Sequence, residues 1–242
     1  MGGHVDAMSG EPGPIHAVLF DVGGTLLDVS DHFGWSNLAS RLGVEVDPEA
    51  LAHAWRDGLR EFDRPPPVPA PREFWQWVLG RAAGRPVPLR TAEQFAQEMT
   101  ELPPVARLYS DVRRCLEGLK PLVKTVGVLS NSTSEESLRG LLADAGIVGR
   151  FQAILSSGTE GVRKPEAEFF LRGVRRLGAM ASETLYVGDL AYTDAKAASL
   201  AGLYGVWLKR DGTGFGEDPP EITSLSEVPE FVRASRRVRS HG

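Results

Sequence analysis

With 242 residues, 42% hydrophobic and 24% charged, and a net charge of −5, the chain has the make-up of a globular protein able to bury a full core. The mildly acidic balance gives no electrostatic footprint for nucleic acid or an anionic membrane, and no apolar run approaches the roughly 20 residues of a membrane span. Any phosphate the chain binds must be held by a local site. The expected setting is cytoplasmic, and the oligomeric state is not legible.

The first 14 residues, MGGHVDAMSGEPGP, lack the apolar stretch of a signal peptide and read as a disordered polar leader, with Met8 an alternative start. Ile15–Phe20 predicts a buried first strand, and it runs into Asp21-Val-Gly-Gly-Thr-Leu-Leu-Asp28. Residues 30–108 break the strand pattern. They carry helical segments at Trp35–Leu42, Pro48–Phe62, Arg72–Leu79 and Thr91–Leu102, with no convincing strand. The Pro-rich run Arg64–Pro71 and the loop Gly84–Pro88 punctuate them. A helical block inserted behind the first strand of an α/β domain reads as a lid or cap. Its tryptophans, Trp35, Trp55, Trp75 and Trp77, are expected to fill its core.

Strand-like runs return at Thr125–Ser130, Ala153–Ser156, Leu185–Gly188 and Tyr204–Leu208, separated by helical patterns. Cys115 shares a helical stretch with Val112, Leu116 and Leu119 and reads as a small core residue. Ser132 and Glu135 predict a capping box ahead of Leu138, Leu141 and Leu142, with Gly146 as the stop. Phe170, Val174 and Leu177 share a face behind Pro165, and Ala195–Ala201 forms a further helix. Strands alternating with helices predict a parallel sheet covered on both faces. The arginines of Arg233–Arg239 read as a solvated terminal tail.

In an open parallel sheet, ligands bind outside the carboxyl ends of the strands. Four such ends carry polar residues: Asp21 after the first, Ser130 and Asn131 after the second, Lys164 past the third, and Asp189 through Asp194 after the fourth. Each piece alone is ordinary turn chemistry. Jointly, two carboxylates from different strands can chelate a hard divalent cation, and a lysine and a hydroxyl beside them can orient a phosphoryl group.

These segments, with GVLSNS, SSGTEGVRKPEAEFF and YVGDLAYTDAKAASLAG, resemble the four motifs of the haloacid dehalogenase superfamily, and the resemblance runs from Ile15 to Phe231. It implies a Rossmann-like α/β core over residues 15–29 and 109–242, with an inserted all-α cap over 30–108. It also implies a phosphatase-like hydrolase acting on a small phosphorylated molecule, with no nucleic-acid or membrane partner. By the same likeness Asp21 is the nucleophile and forms an aspartyl-phosphate. Magnesium is held by Asp21, Asp189 and the Gly23 carbonyl. Phosphate is bound by Val22, Gly23, Ser130, Asn131 and Lys164, with Thr25 and Asp194 in support.

One position departs from that pattern. The family's phosphatases usually carry a second Asp two residues after the nucleophile, as general acid and base, and here the residue is Gly23. Such help is worth about 10²–10⁴ in rate, roughly 3–5 kcal/mol. Three readings stay open. The first is a phosphohydrolase restricted to good leaving groups or using a surrogate such as Asp28, Asp31 or His32. The second is chemistry on another bond, but dehalogenases lack the Gly-Asp motif kept here, and the phosphonatase lysine is absent between Ser30 and Arg114. The third is a catalytically impaired protein that binds a phosphorylated ligand or a partner. Arg41, Arg56, Arg60 and Arg72 are available to recognise a distal carboxylate or phosphate, and the sequence does not choose among them.

Overall fold

The computed structural model describes residues 14–64, 69–102, 105–210, 212 and 219–237. The expected leader, apart from Pro14, the centre of the Pro-rich run, the end of the arginine tail and the His32 side chain lie outside the described residues. All five expected strands form. They are β1 (Ala17–Phe20), β4 (Thr125–Ser130), β5 (Ala153–Ser156), β6 (Thr184–Gly188) and β7 (Tyr204–Leu208), and with β8 (Glu221–Ile222) they make one parallel sheet in the order β5-β4-β1-β6-β7-β8. A second, antiparallel pair joins β2 (Leu27–Asp28) to β3 (Arg107–Leu108), with Leu27 opposite Leu108.

Side chains of β1 alternate between two cores. Val18 and Phe20 face one cluster, with Leu116, Leu138, Val228 and Val232 of the helices α5 (Val112–Leu119), α6 (Glu135–Asp144) and α10 (Val228–Arg237). Ala17 and Leu19 face the other, with Phe169, Phe170, Val174 and Ala198 of α8 (Ala167–Arg176) and α9 (Ala197–Leu200). A short helix, α7 (Ser157–Glu160), follows β5 directly. Burial on both faces explains why these strands read as unbroken apolar runs. The sheet is the Rossmann-like layer that the sequence predicts.

Among the described residues, four α-helices lie between β2 and β3: α1 (His32–Arg41), α2 (Pro48–Glu61), α3 (Pro71–Ala83) and α4 (Leu89–Glu98). Asp47 caps α2 by accepting from Ala50 N–H, and Pro48 opens it at a position where no intrahelical N–H is needed. The four helices share a separate core of Trp35, Leu38, Leu51, Trp75, Val78, Leu79 and Phe95. Trp35 meets Trp55 and Trp75 edge to face, each at 5.3 Å between centroids. The tryptophans thus pack the helical block as expected, with Trp55 also reaching its lower face.

Two local expectations are corrected. Ser132 does not cap α6. Its carbonyl accepts from Gly158 N–H and from the Ser156 and Ser157 hydroxyls, which ties residue 132 to the end of β5, and the helix starts at Ser134, whose hydroxyl accepts from Ser137 N–H. Of the expected Ala195–Ala201 helix, only Ala197–Leu200 is α-helical, and a π-helical turn, Ala191–Lys196, that carries Asp194 runs into it. That turn sits close on β7 because residue 205 is glycine: a Cβ there would lie 1.8 Å from the Ala195 carbonyl oxygen.

Candidate active site

The chain runs from β1 to β4 and β5 on one side, then crosses to β6 on the other, so the strand order reverses beside β1. A crevice opens at such a switch point, outside the strand ends. Asp21 leaves β1 there, its N–H bonded to the Val187 carbonyl of β6 at 2.9 Å. Asp189 follows β6, and its backbone carbonyl accepts from the Trp207 indole at 3.0 Å. Ser130, buried, ends β4.

The buried Lys164 ammonium joins these ends. It donates to Asp21 Oδ1 at 2.5 Å, to Asp194 Oδ1 at 2.6 Å and to the Tyr186 hydroxyl at 3.1 Å. Tyr186 in turn donates to Asp194 Oδ1 at 3.0 Å, and Asp194 Oδ2 accepts from Leu190 N–H at 3.1 Å. Lys164 is aimed by its own backbone. The Asn131 side chain accepts from Lys164 N–H at 2.9 Å and donates to Lys164 C=O at 3.0 Å. Asn131, expected among the substrate-binding groups, spends these amide contacts on positioning the lysine.

Asp21, Asp189 and Asp194 each bring a carboxylate oxygen within 4.8 Å of the others. Burial pushes the Asp21 carboxyl up to about 6, against the pull of Lys164 and with the repulsion of Asp194. Burial, then the Asp21 and Asp194 charges, push Asp189 well above the usual carboxylate range. Burial works against the Lys164 charge, but Asp194 and Asp21 more than offset it and hold the ammonium above its ordinary value. One cation thus faces three acids in a desolvated space.

The loop after Asp21 makes that crowding possible. Val22 C=O accepts from Leu26 and Leu27 N–H, and Gly24 N–H donates to Leu27 C=O, which leaves Gly23's own carbonyl outside this pairing. Gly24 has φ +78°, and a Cβ on it would lie 2.2 Å from Asp189 Oδ2, so the carboxylate rests where any side chain would stand. Thr25, fully buried, donates to Asp189 Oδ1 at 3.5 Å. Arg210 fastens the loop from outside, donating to the Gly24 and Thr25 carbonyls while gripping both oxygens of Asp111. Its guanidinium also covers the Tyr109 ring at 3.9 Å.

The helical block touches the site at two places. Both oxygens of Asp63 accept from the core, one from Tyr192 N–H and the other from Thr193 N–H, each at 2.8 Å. Beneath α2 lies a cleft of about 60 Å³, with Trp55, Arg56 and Arg60 on one side and Gly24, Tyr109 and Asp189 on the other. Arg41 and Arg72 lie elsewhere, paired with Glu98 and Glu93. Of the surrogate acids considered, Asp31 caps α1 by accepting from Gly34 N–H, and Asp28 accepts from the backbone N–H and hydroxyl of Ser30. Cys115 is buried in the core, and burial pushes its thiol up to about 12. Sequence reasoning missed Tyr186, Asp63 and Arg210. Only Tyr186 left a trace, as a phenol in the middle of a buried strand that must find a partner for its hydroxyl.

A family model described as haloacid dehalogenase-like hydrolase matches residues 15–202. The phosphoserine phosphatase of Thermus thermophilus is 29% identical over 176 residues, 72% of this chain and 63% of that protein. The chain thus spans less than two thirds of that relative's length. The glyceraldehyde 3-phosphate phosphatase of Methanopyrus kandleri is 28% identical over 90% of this chain and 92% of its own length. Relatives named (S)-2-haloacid dehalogenase also match. A solved structure, a predicted phosphoglycolate phosphatase from Haemophilus somnus, superposes with a TM-score of 0.66 at 20% identity, covering 90% of this chain and 97% of that one, and shares the fold.

The Tyr186 hydroxyl tests the network. Tyr186→Phe removes its two bonds to charged partners while keeping the ring, and should lower the unfolding free energy by about 1–3 kcal/mol in urea titration. An unchanged midpoint would mean that the hydroxyl is not part of what holds Lys164 and Asp194.

Proposed function

The chain belongs to the haloacid dehalogenase-like hydrolases, and on that premise we propose that it is a magnesium-dependent phosphatase of a small phosphorylated molecule with Asp21 as nucleophile. The observation that carries the reading is the meeting of Asp21, Asp189 and Asp194 around one buried lysine at the strand ends. The phosphatase-named relatives support it.

The donor set suits a hard divalent cation, because three carboxylates against one ammonium leave negative charge uncompensated in a desolvated space. Asp194 has both oxygens engaged, so Asp21, Asp189 and the Gly23 carbonyl are the groups left to hold the ion. When bound, magnesium supplies positive charge that offsets the phosphoryl oxygens and favours the ionised form of Asp21.

Asp21 attacks phosphorus as the ester P–O bond breaks and the leaving oxygen takes a proton. Water then cleaves the acyl phosphate, releasing inorganic phosphate and returning the carboxylate. Lys164 holds the Asp21 carboxylate through Oδ1 and, with Ser130, faces the phosphoryl charge. Asn131 and Asp194 keep Lys164 in place, and Asp194 draws on Tyr186 for the same task. The helical block covers the strand ends and excludes water, docked through Asp63. Gly23 leaves the leaving oxygen without its usual acid, so esters of acidic alcohols, acyl phosphates and anhydrides are the favoured substrates. Displacement of halide from carbon is the second reading, favoured by Gly23 and the dehalogenase-named relatives. It needs neither a proton donor nor a cation, and so leaves Asp189 without a role.

Asp21→Asn should retain the thermal midpoint and lower p-nitrophenyl phosphate turnover by about 10³-fold or more. Full activity in that variant would remove Asp21 from the chemistry. Gly23→Asp is sterically feasible, because its Cβ would lie 3.2 Å from Val29 Cγ2, a side chain that needs to give by only a few tenths of an ångström. Its kcat should rise more on alkyl than on aryl phosphates, by up to about 10²-fold. Equal rises on both would mean that the glycine is not a missing leaving-group acid.

A further inference from the structure

The side chain of Asp189 is held loosely: Thr25 reaches its Oδ1 at 3.5 Å, the limit of a hydrogen bond. Where the carboxylate stands is therefore decided by the backbone that carries it. The β6–β7 ladder ends at Gly188, which pairs with Trp207, and Asp189 is the first residue beyond it. There its carbonyl has no strand partner, in a space that already gathers three carboxylates. The Trp207 indole supplies the donor, at 3.0 Å. A side chain thus extends by one residue the pairing that the backbone no longer provides.

Neighbours on the same face of β7 serve the same loop. Alternate residues of a strand share a face, which groups Gly205 and Trp207 with Lys209 just beyond the strand. Gly205 admits the turn that carries Asp194, since a Cβ there would meet the Ala195 carbonyl. The buried Lys209 ammonium lies over the Trp207 ring, 4.7 Å from its centroid, and pairs with Glu221 Oε2 at 3.6 Å. Glu221 stands opposite Trp207 in the β7–β8 register. A cation held on the face of the ring fixes its plane, and so the direction of its N–H. Packing alone would leave the choice of acceptor open, and here the acceptor is Asp189 itself. Resting on the phosphatase reading above, we propose that Trp207 is a positioning residue for the cation. Its N–H sets the Asp189 backbone so that the carboxylate stands beside Asp21, and Lys209 with Glu221 locks the indole.

Calorimetric titration of magnesium into the substrate-free protein tests this without turnover. Trp207→Phe keeps an aromatic ring but loses the N–H. It should weaken magnesium binding about 10- to 100-fold, the usual cost of removing a group that orients a metal ligand. Trp207→His keeps a ring N–H and should recover part of the loss. With p-nitrophenyl phosphate, excess magnesium should bring back most of the turnover of Trp207→Phe, with KM for the ester little changed. Should Trp207→Phe fold poorly, the wild-type protein still answers. Its Trp207 indole N–H resonance, identified by its loss in Trp207→His, should shift as magnesium is added. Magnesium binding that Trp207→Phe leaves unmoved, or an indole resonance indifferent to magnesium, would overturn the proposal. Failure of the phosphatase reading looks different: the wild-type protein would hydrolyse no phosphate ester while its magnesium affinity still depended on the indole.

Discussion

The Lys164 ammonium, buried between Asp21 and Asp194, is the interaction on which the rest of the site depends. Three carboxylates crowded together in a low-dielectric space are not stable by themselves, and removing one partner of such a buried pair costs about 3–5 kcal/mol. The lysine offsets one charge and leaves the others in excess. That imbalance is what suits the crevice to the proposed cation, and the paired hydrogen bonds between Asn131 and the lysine backbone fix where the positive charge stands. Backbone geometry therefore serves the electrostatics directly.

A second set of contacts holds the ring of loops rigid around that charge. Arg210 joins the loop after β1 to Asp111 at the start of α5, and Asp111 also accepts from the Ser224 hydroxyl and Leu225 N–H near the end of the chain. Burial alone would raise the Asp111 carboxyl, but Arg210 and these donors hold it below the usual carboxylate range. Opposite this clamp, the helical block contributes Asp63, whose two bonds go to backbone N–H groups of the turn that carries Asp194. Docking of the block and placement of a site residue are thereby one event. Asp63 itself sits above the ordinary carboxylate value because burial outweighs the hydrogen bonds it accepts.

Much of this was legible in the sequence because doubly buried strands leave unbroken apolar runs, and β4, β5 and β7 form over the very residues those runs mark. The polar residues punctuating the strand ends converge for a topological reason: in a parallel sheet all carboxyl ends lie on one edge. Elements set by long-range pairing escaped. β2, β3 and β8 are two residues each, too short for any periodicity. Ser132 looked like a cap because its spacing to Glu135 is right, yet β5 claims its carbonyl from a distance in sequence. Arg210 and Asp63 act across 185 and 129 residues, and nothing local to either distinguishes it from a solvated side chain. Likewise, four arginines looked equivalent until folding paired two elsewhere and set the other two over the crevice.

Asp21 as a covalent nucleophile is the claim on which the functional account turns. Its most direct measurement is intact-mass spectrometry of the protein mixed with magnesium and p-nitrophenyl phosphate and quenched in acid, with Asp21→Asn in parallel. The account predicts one phosphoryl adduct in the wild type and none in the variant, accumulating because Gly23 provides no base to speed its hydrolysis. Nitrophenol release at full rate from the Asp21→Asn variant, or an adduct that forms in that variant as well, would contradict it.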